Sequence, residues 1–221
     1  MIFHFRGEIV RVNLRESVGG VASLFVRIQY VFGPDWTLLT GPEMFLTQIA
    51  IVESGQEALL NMPIDAIFST SNLHGFPRII ISIFGVNGMQ TALLGRPESV
   101  PIGHGSCLLP VCAGESIKVA ELYRPISSKT GVLASISSLI NFLNHDIPDY
   151  FDSRFVGQST SRMVTRVEAT SSVELQMSVA TQNVTLNGYN SGAKVIGNNL
   201  NMSKNIVSLA PLQTPSVHKV R

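Results

Sequence analysis

The chain has 221 residues, 45% of them apolar and only 14% charged, with 16 basic and 15 acidic side chains for a formal net charge of +1. That length suffices for one sizeable domain with its own core. The near-neutral balance supplies no global field for nucleic acid or an anionic membrane, and no apolar run reaches the roughly 20 residues that span a bilayer. So little charge beside so much apolar content leaves room for partner-binding surface.

In chain order, the first strand is expected over Ile2–Val12, with a bulge at Gly7, and Glu16–Gly20 reads as a turn. Arg6 and Glu8 interrupt any apolar leader, so Cys107 and Cys112 read as reduced structural thiols of a cytosolic protein. Ala22–Phe32 carries the strongest period-two pattern, Leu24, Val26, Ile28, Tyr30 and Phe32 against Phe25, Arg27, Gln29 and Val31. It ends in the turn Gly33-Pro34-Asp35-Trp36, whose tryptophan reads as a packing anchor.

Met44–Val52 is a further strand, and Glu53–Gln56 a turn. A short run, Ala58–Met62, leads to Pro63 and the strand Ile64–Phe68, in which Asp65 reads as an outward or hydrogen-bonded carboxylate. Ser69–Gly75 forms a loop into the central stretch Gly75–Gly85. There Pro77 blocks a helix start, and the isoleucines of Ile79–Ile83 give a strand apolar on both faces, hence covered on both.

Asn87-Gly88 signals a hairpin, with Thr91–Leu94 pairing back. Gly95–Gly105, with its prolines and glycines, is expected as a surface loop before a strand at Ser106–Val111. Val132, Ile136, Leu139, Ile140 and Leu143 stand at helical spacing, giving one amphipathic helix. No basic residue lies between Val132 and Leu143, so core or partner packing is favoured over lipid, and Ile136 and Leu139 become candidate partner contacts. Met163–Thr170 and Val173–Thr181 close the fold as two strands joined by a hairpin at Thr170-Ser171-Ser172, and periodicity is lost beyond Gly188. The expected architecture is an antiparallel β-sandwich over residues 1–191 with one inserted helix, followed by a flexible polar tail over 192–221.

Chemistry is hard to find in this chain. It has no G-x-S-x-G, no phosphate-binding glycine loop and no histidine pair at metal-ligand spacing, and therefore no cofactor motif. His104-Gly105-Ser106-Cys107 lacks an acid partner, and Asp146, Asp149 and Asp152 lack the order of a calcium loop. Arg162 and Arg166 are too few for nucleic acid.

One set of motifs is nevertheless distinctive. Gln29-Tyr30-Val31-Phe32-Gly33-Pro34-Asp35-Trp36, Thr47-Gln48-Ile49, Met62-Pro63-Ile64-Asp65-Ala66-Ile67-Phe68, Gly75-Phe76-Pro77-Arg78, Pro148-Asp149-Tyr150 and Leu186-Asn187-Gly188-Tyr189 follow one another in an order that resembles the B9 domain family. The resemblance implies a C2-like sandwich without catalysis, in which Gly33, Asp35, Trp36, Pro63, Asp65, Gly75, Phe76 and Pro77 are structural signature residues. It also implies a ciliary role, as an adaptor of the transition zone, in cilium assembly and in the gating of ciliary membrane proteins. The partners implied are B9 domain-containing protein 2 and Meckel syndrome protein 1, within a tectonic-like complex. The alternative kept beside it is a calcium-independent peripheral phospholipid-binding module. With only five aspartates, three of them in one segment, calcium-dependent lipid binding is not expected.

Overall fold

A computed structural model describes residues 1–15, 21–53, 56–86, 99–126, 153–157 and 166–189. The described residues form ten strands: β1 (Ile2–Leu14), β2 (Ser23–Val31), β3 (Trp36–Thr40), β4 (Met44–Leu46), β5 (Ala50–Ile51), β6 (Glu57–Thr70), β7 (Arg78–Val86), β8 (Ser99–Leu108), β9 (Gly114–Pro125) and β10 (Val167–Gln182). Neighbours are antiparallel, in the order β3-β6-β1-β10-β9-β8-β7-β2-β4, with β5 also on β2. The order runs as one path, yet it does not stay flat. Phe68 of β6 stacks edge-on against Tyr30 of β2 at 5.6 Å, although the two strands stand far apart in the order. The sheet is therefore curled into two facing layers, β3-β6-β1-β10-β9 and β8-β7-β2-β4, and the two meet where β8 and β9 share a single residue pair, His104 opposite Tyr123. The expected antiparallel sandwich is borne out.

The alternation in β2 survives intact, with Leu24, Val26, Ile28 and Tyr30 buried. β7 is covered on both faces: Ile79, Ile81 and Ile83 enter the common core, while Ile80 and Ser82 on the opposite face are equally inaccessible. A short 3-10 turn, Ser153–Gly157, packs against that outer face of β7 and β8. It is held there by Ser106 Oγ donating to the Val156 carbonyl (3.2 Å) and by Arg154, whose guanidinium donates twice to the Gln29 amide oxygen (2.8 and 2.9 Å).

Several boundaries differ from expectation, each for a local reason. The bulge in β1 lies between Ile9 and Arg11, and there the buried set passes from Phe3, Phe5 and Ile9 to Val12 and Leu14. Gly7 serves another purpose, since a Cβ on it would stand 2.1 Å from the Gln176 carbonyl oxygen of β10. Met44–Val52 is one edge interrupted between β4 and β5, where the Thr47 hydroxyl accepts from the Val26 N–H (2.9 Å). Ala58–Met62 and Ile64–Phe68 are a single strand, β6, and Pro63 is accommodated because β3 pairs only with Ile67–Thr70 and leaves that part of β6 as an edge.

Further along, β8 begins at Ser99, inside the stretch expected to loop. Gly103 and Gly105 are strand residues, placed where a Cβ would meet Thr170 Oγ1 at 2.4 Å and the Glu121 carbonyl oxygen at 2.5 Å. Glycine here permits close approach of backbones rather than a turn. β9 is a strand the sequence pattern does not announce: its outward Ile117 and Val119 are exposed while Ala120 and Leu122 are buried, so its apolar residues do not follow one alternating face. The expected hairpin at Thr170–Ser172 is instead a bulge within the continuous β10, opposite Tyr123 and Leu122. The Asn87-Gly88 turn, the Val132–Leu143 helix, the Asp146–Asp152 loop and the 192–221 tail lie outside the described residues.

Candidate functional site

Six of the eight signature residues converge on one end of the sandwich. The turn after β2 and the loop after β6 meet so closely that Gly33 and Gly75 touch backbone to backbone: Gly33 N–H donates to the Gly75 carbonyl (2.8 Å), and a Cβ on Gly75 would stand 2.6 Å from the Gly33 Cα. Gly75 also has φ +68°, a left-handed conformation that side chains resist. Two further bonds bind the pair of loops. Trp36 Nε1–H donates to the His74 carbonyl (2.8 Å), and Asn72 Nδ2–H donates to Asp35 Oδ2 (2.7 Å) while its own amide oxygen accepts the His74 N–H (2.7 Å).

Below this clasp lies an aromatic nest. Trp36 and Phe76 meet edge to face at 5.0 Å, and Phe3 lies 5.2 Å from Trp36 and 5.8 Å from Phe76. Phe76 also meets Phe5 at 6.1 Å, and Pro77, buried, leads straight into β7. Each such ring contact adds about 0.5–1.5 kcal/mol beyond its buried area. Trp36 is buried within this packing, and the Asp35 carboxylate fastens one loop to the other.

The remaining two signature residues, Pro63 and Asp65, sit on the outward side of β6. Asp65 Oδ1 pairs with His4 Nε2 across to β1 (2.8 Å), with both side chains solvated, which matches the outward, hydrogen-bonded carboxylate expected. Pro63 borders a shallow groove of about 340 Å³ with Arg6, Glu8 and Glu115, a lining of mixed charge.

The histidine motif gives a different result from the one sought. His104 Nδ1 bonds not to a neighbour in sequence but to Ser82 Oγ on β7 (2.9 Å), and each residue is only 1% exposed. A serine–histidine pair has the composition of an activated nucleophile, but this one is sealed between β7 and β8. Ser106 bonds to Val156, Cys107 is half-buried with its thiol pushed up by burial against the opposing influence of Lys118, and Cys112 is exposed; both cysteines are free thiols. Among the described residues no three His, Cys, Asp or Glu side chains are placed to hold a metal, and no helix is long and apolar enough to cross a membrane. Ile136 and Leu139 lie outside the described residues.

What sequence reasoning missed is at the border of the β2 layer. Along Met44–Ile51, the side chains of Met44, Leu46, Ile49 and Ile51 are 55–76% exposed. The signal in the sequence was that Met44–Val52 holds no charged residue; the structure then sets Met44 and Leu46 opposite Gln29 and Arg27 of β2.

Comparison with known proteins converges on one group. Residues 3–180 match the family described as "B9-C2: Ciliary basal body-associated, B9 protein". B9 domain-containing protein 1 of Xenopus laevis is 27% identical over 172 residues, covering 77% of this chain and 81% of the relative. Human B9 domain-containing protein 2 is 28% identical over 126 residues, 57% of this chain and 65% of the relative. Among solved structures, a C2-type domain of plant extended synaptotagmin 1 aligns with a TM-score of 0.36 and 13% identity, over 82% of this chain and 96% of that one.

Proposed function

Because the chain belongs to the ciliary basal body-associated B9 protein family, we propose that it is a non-enzymatic structural adaptor of the ciliary transition zone, working in cilium assembly and the gating of ciliary membrane proteins. Its partners in this reading are other B9 proteins, B9 domain-containing protein 2 and Meckel syndrome protein 1, within a tectonic-like complex.

The observation that carries the reading is the use made of the signature residues. Gly33, Asp35, Trp36, Gly75, Phe76 and Pro77 fasten two loops over an aromatic nest and offer no reactive group to a substrate. The one nucleophile–base pair among the described residues, Ser82–His104, is closed to solvent. In this chain these residues serve to fix the shape of one end of the sandwich, and a fixed surface suits recognition of a partner.

Co-expression of the full chain with the B9 domain-containing protein 2 of its own species should yield a complex that survives size-exclusion chromatography, and the tagged chain should concentrate at the ciliary base. Recovery of both proteins only as separate species would sink this reading.

A further inference from the structure

The two terminal strands of the sheet, β3 and β4, are consecutive in sequence, and the run from Met44 to Val52 is the free border of the β2 layer. Within it, the Glu43 carbonyl accepts from the Tyr30 N–H (3.0 Å) and the Thr47 N–H donates to the Val26 carbonyl (2.8 Å). Strand alternation then turns the N–H and C=O of Met44 and Leu46 away from the sheet, toward whatever lies alongside.

Edge strands are ordinarily defended by shortness, lysine, proline or an inward charge. This border is short, three residues in β4 and two in β5, but it carries no lysine, proline or inward charge between Met44 and Val52 and exposes Met44, Leu46, Ile49 and Ile51.

Its charge is just as one-sided. Between Arg27 and His74 there is no Lys, Arg or His, but there are five acids, Asp35, Glu43, Glu53, Glu57 and Asp65. Asp35, Asp65 and Glu57 are tied to Asn72, His4 and Arg11. Glu43 and Glu53 stand exposed at the two ends of the border. Of the arginines behind it, Arg27 lies over the Phe84 ring at 5.0 Å and Arg154 is bonded to Gln29.

We propose that the Met44–Val52 border is the docking surface for a second B9-family domain, which lays one of its own edge strands beside β4 and brings apolar side chains flanked by Lys or Arg. The inference rests on the adaptor reading and adds to it the surface and the chemistry of the partner. Outward main-chain groups call for a strand, the four apolar side chains supply the dry centre of an interface, and the acidic ends select a basic rim. The same acidic ends repel an anionic bilayer, which separates this surface from a lipid-binding one.

The experiment uses the full chain co-expressed with B9 domain-containing protein 2 and measures capture. The pair Leu46→Arg with Ile51→Arg should weaken capture at least tenfold with an unchanged melting temperature. The pair Ile117→Arg with Val119→Arg, on a separate exposed apolar patch in β9, should leave capture intact. Should the first pair fail to fold, Glu43→Lys with Glu53→Lys decides, with the same loss expected, and wild-type capture should weaken as salt is raised.

No capture by the wild-type chain overturns the adaptor reading and this inference together. Capture that survives the border variants, or is lost only with the β9 pair, overturns the surface alone. A homodimer in sedimentation, or binding to phosphatidylserine vesicles, that the border variants abolish would give the surface a different occupant and overturn the proposed one.

Discussion

Tyr30 shows how a single polar atom can be carried in this core at a cost. Its ring packs against Phe68 and Phe45, but its hydroxyl is buried with no hydrogen-bond partner among the described residues. Burial, helped by the negative charge of Asp65, holds the phenol far above its ordinary value of 10.0. The sign follows directly. Below about pH 10 folded and unfolded chains both keep the proton and the group adds no pH dependence. Above it the unfolded chain ionises while the folded one does not, so stability falls as pH rises toward the folded value. Tyr30→Phe should therefore leave the neutral-pH melting temperature unchanged or slightly raised, by an amount worth up to about 1 kcal/mol. It should also move the midpoint of alkaline unfolding to higher pH, as followed by circular dichroism. A lower neutral-pH melting temperature would mean that the hydroxyl has a partner after all.

At the scale of elements, the clasp between the β2–β3 turn and the β6–β7 loop is the most exacting junction. Gly75→Ala adds a methyl 2.6 Å from the Gly33 Cα in a left-handed conformation, so steric and backbone strain add. It should cost about 3 kcal/mol or more in chemical denaturation. Gly188→Ala shares the positive φ but has open space around it, and should cost only about 1 kcal/mol. Equal losses at the two sites would show that the contact with Gly33 is unimportant.

The elements also show what was legible in the sequence. β2 and β7 were readable because their neighbours demand the local pattern, one face buried in β2 and both in β7. Gly103 and Gly105 have loop composition yet lie in a strand, because a glycine needed for the approach of a neighbouring strand leaves no mark of its own. Thr170-Ser171-Ser172 has turn composition but also lies in a strand, since pairing with both β1 and β9 outweighs local preference. β9 escapes a pattern search because Ile117 and Val119 are exposed, and that exposure is a property of the assembled sheet. In the candidate site, the resemblance supplied the signature residues, but only the fold shows that Gly33 and Gly75 are contact partners.

For the molecule as a whole, the boundary placed after residue 191 can be tested by shortening the chain. Val184 belongs to the core, and the Tyr189 N–H donates back to the Val184 carbonyl (3.3 Å). A chain ending after Ser191 should keep the melting temperature of the full protein, whereas one ending before Val184 should lose several degrees. A large drop for the longer truncation would place part of the domain beyond residue 191.

The pairing of β1 with β10, Ile2 opposite Gln182 and Leu14 opposite Ser171, has a consequence for how the protein is made. A ribosome releases β1 and β6 before β10, which follows all the other strands. Until then β1 has one flank without a mate, beside a layer whose Phe3, Phe5 and Ile9 still await closure. Such long-range pairing folds slowly and leaves an adhesive nascent chain. Translation that stops short of β10 thus yields an open-flanked sheet for chaperones and proteases to clear, not a smaller working domain.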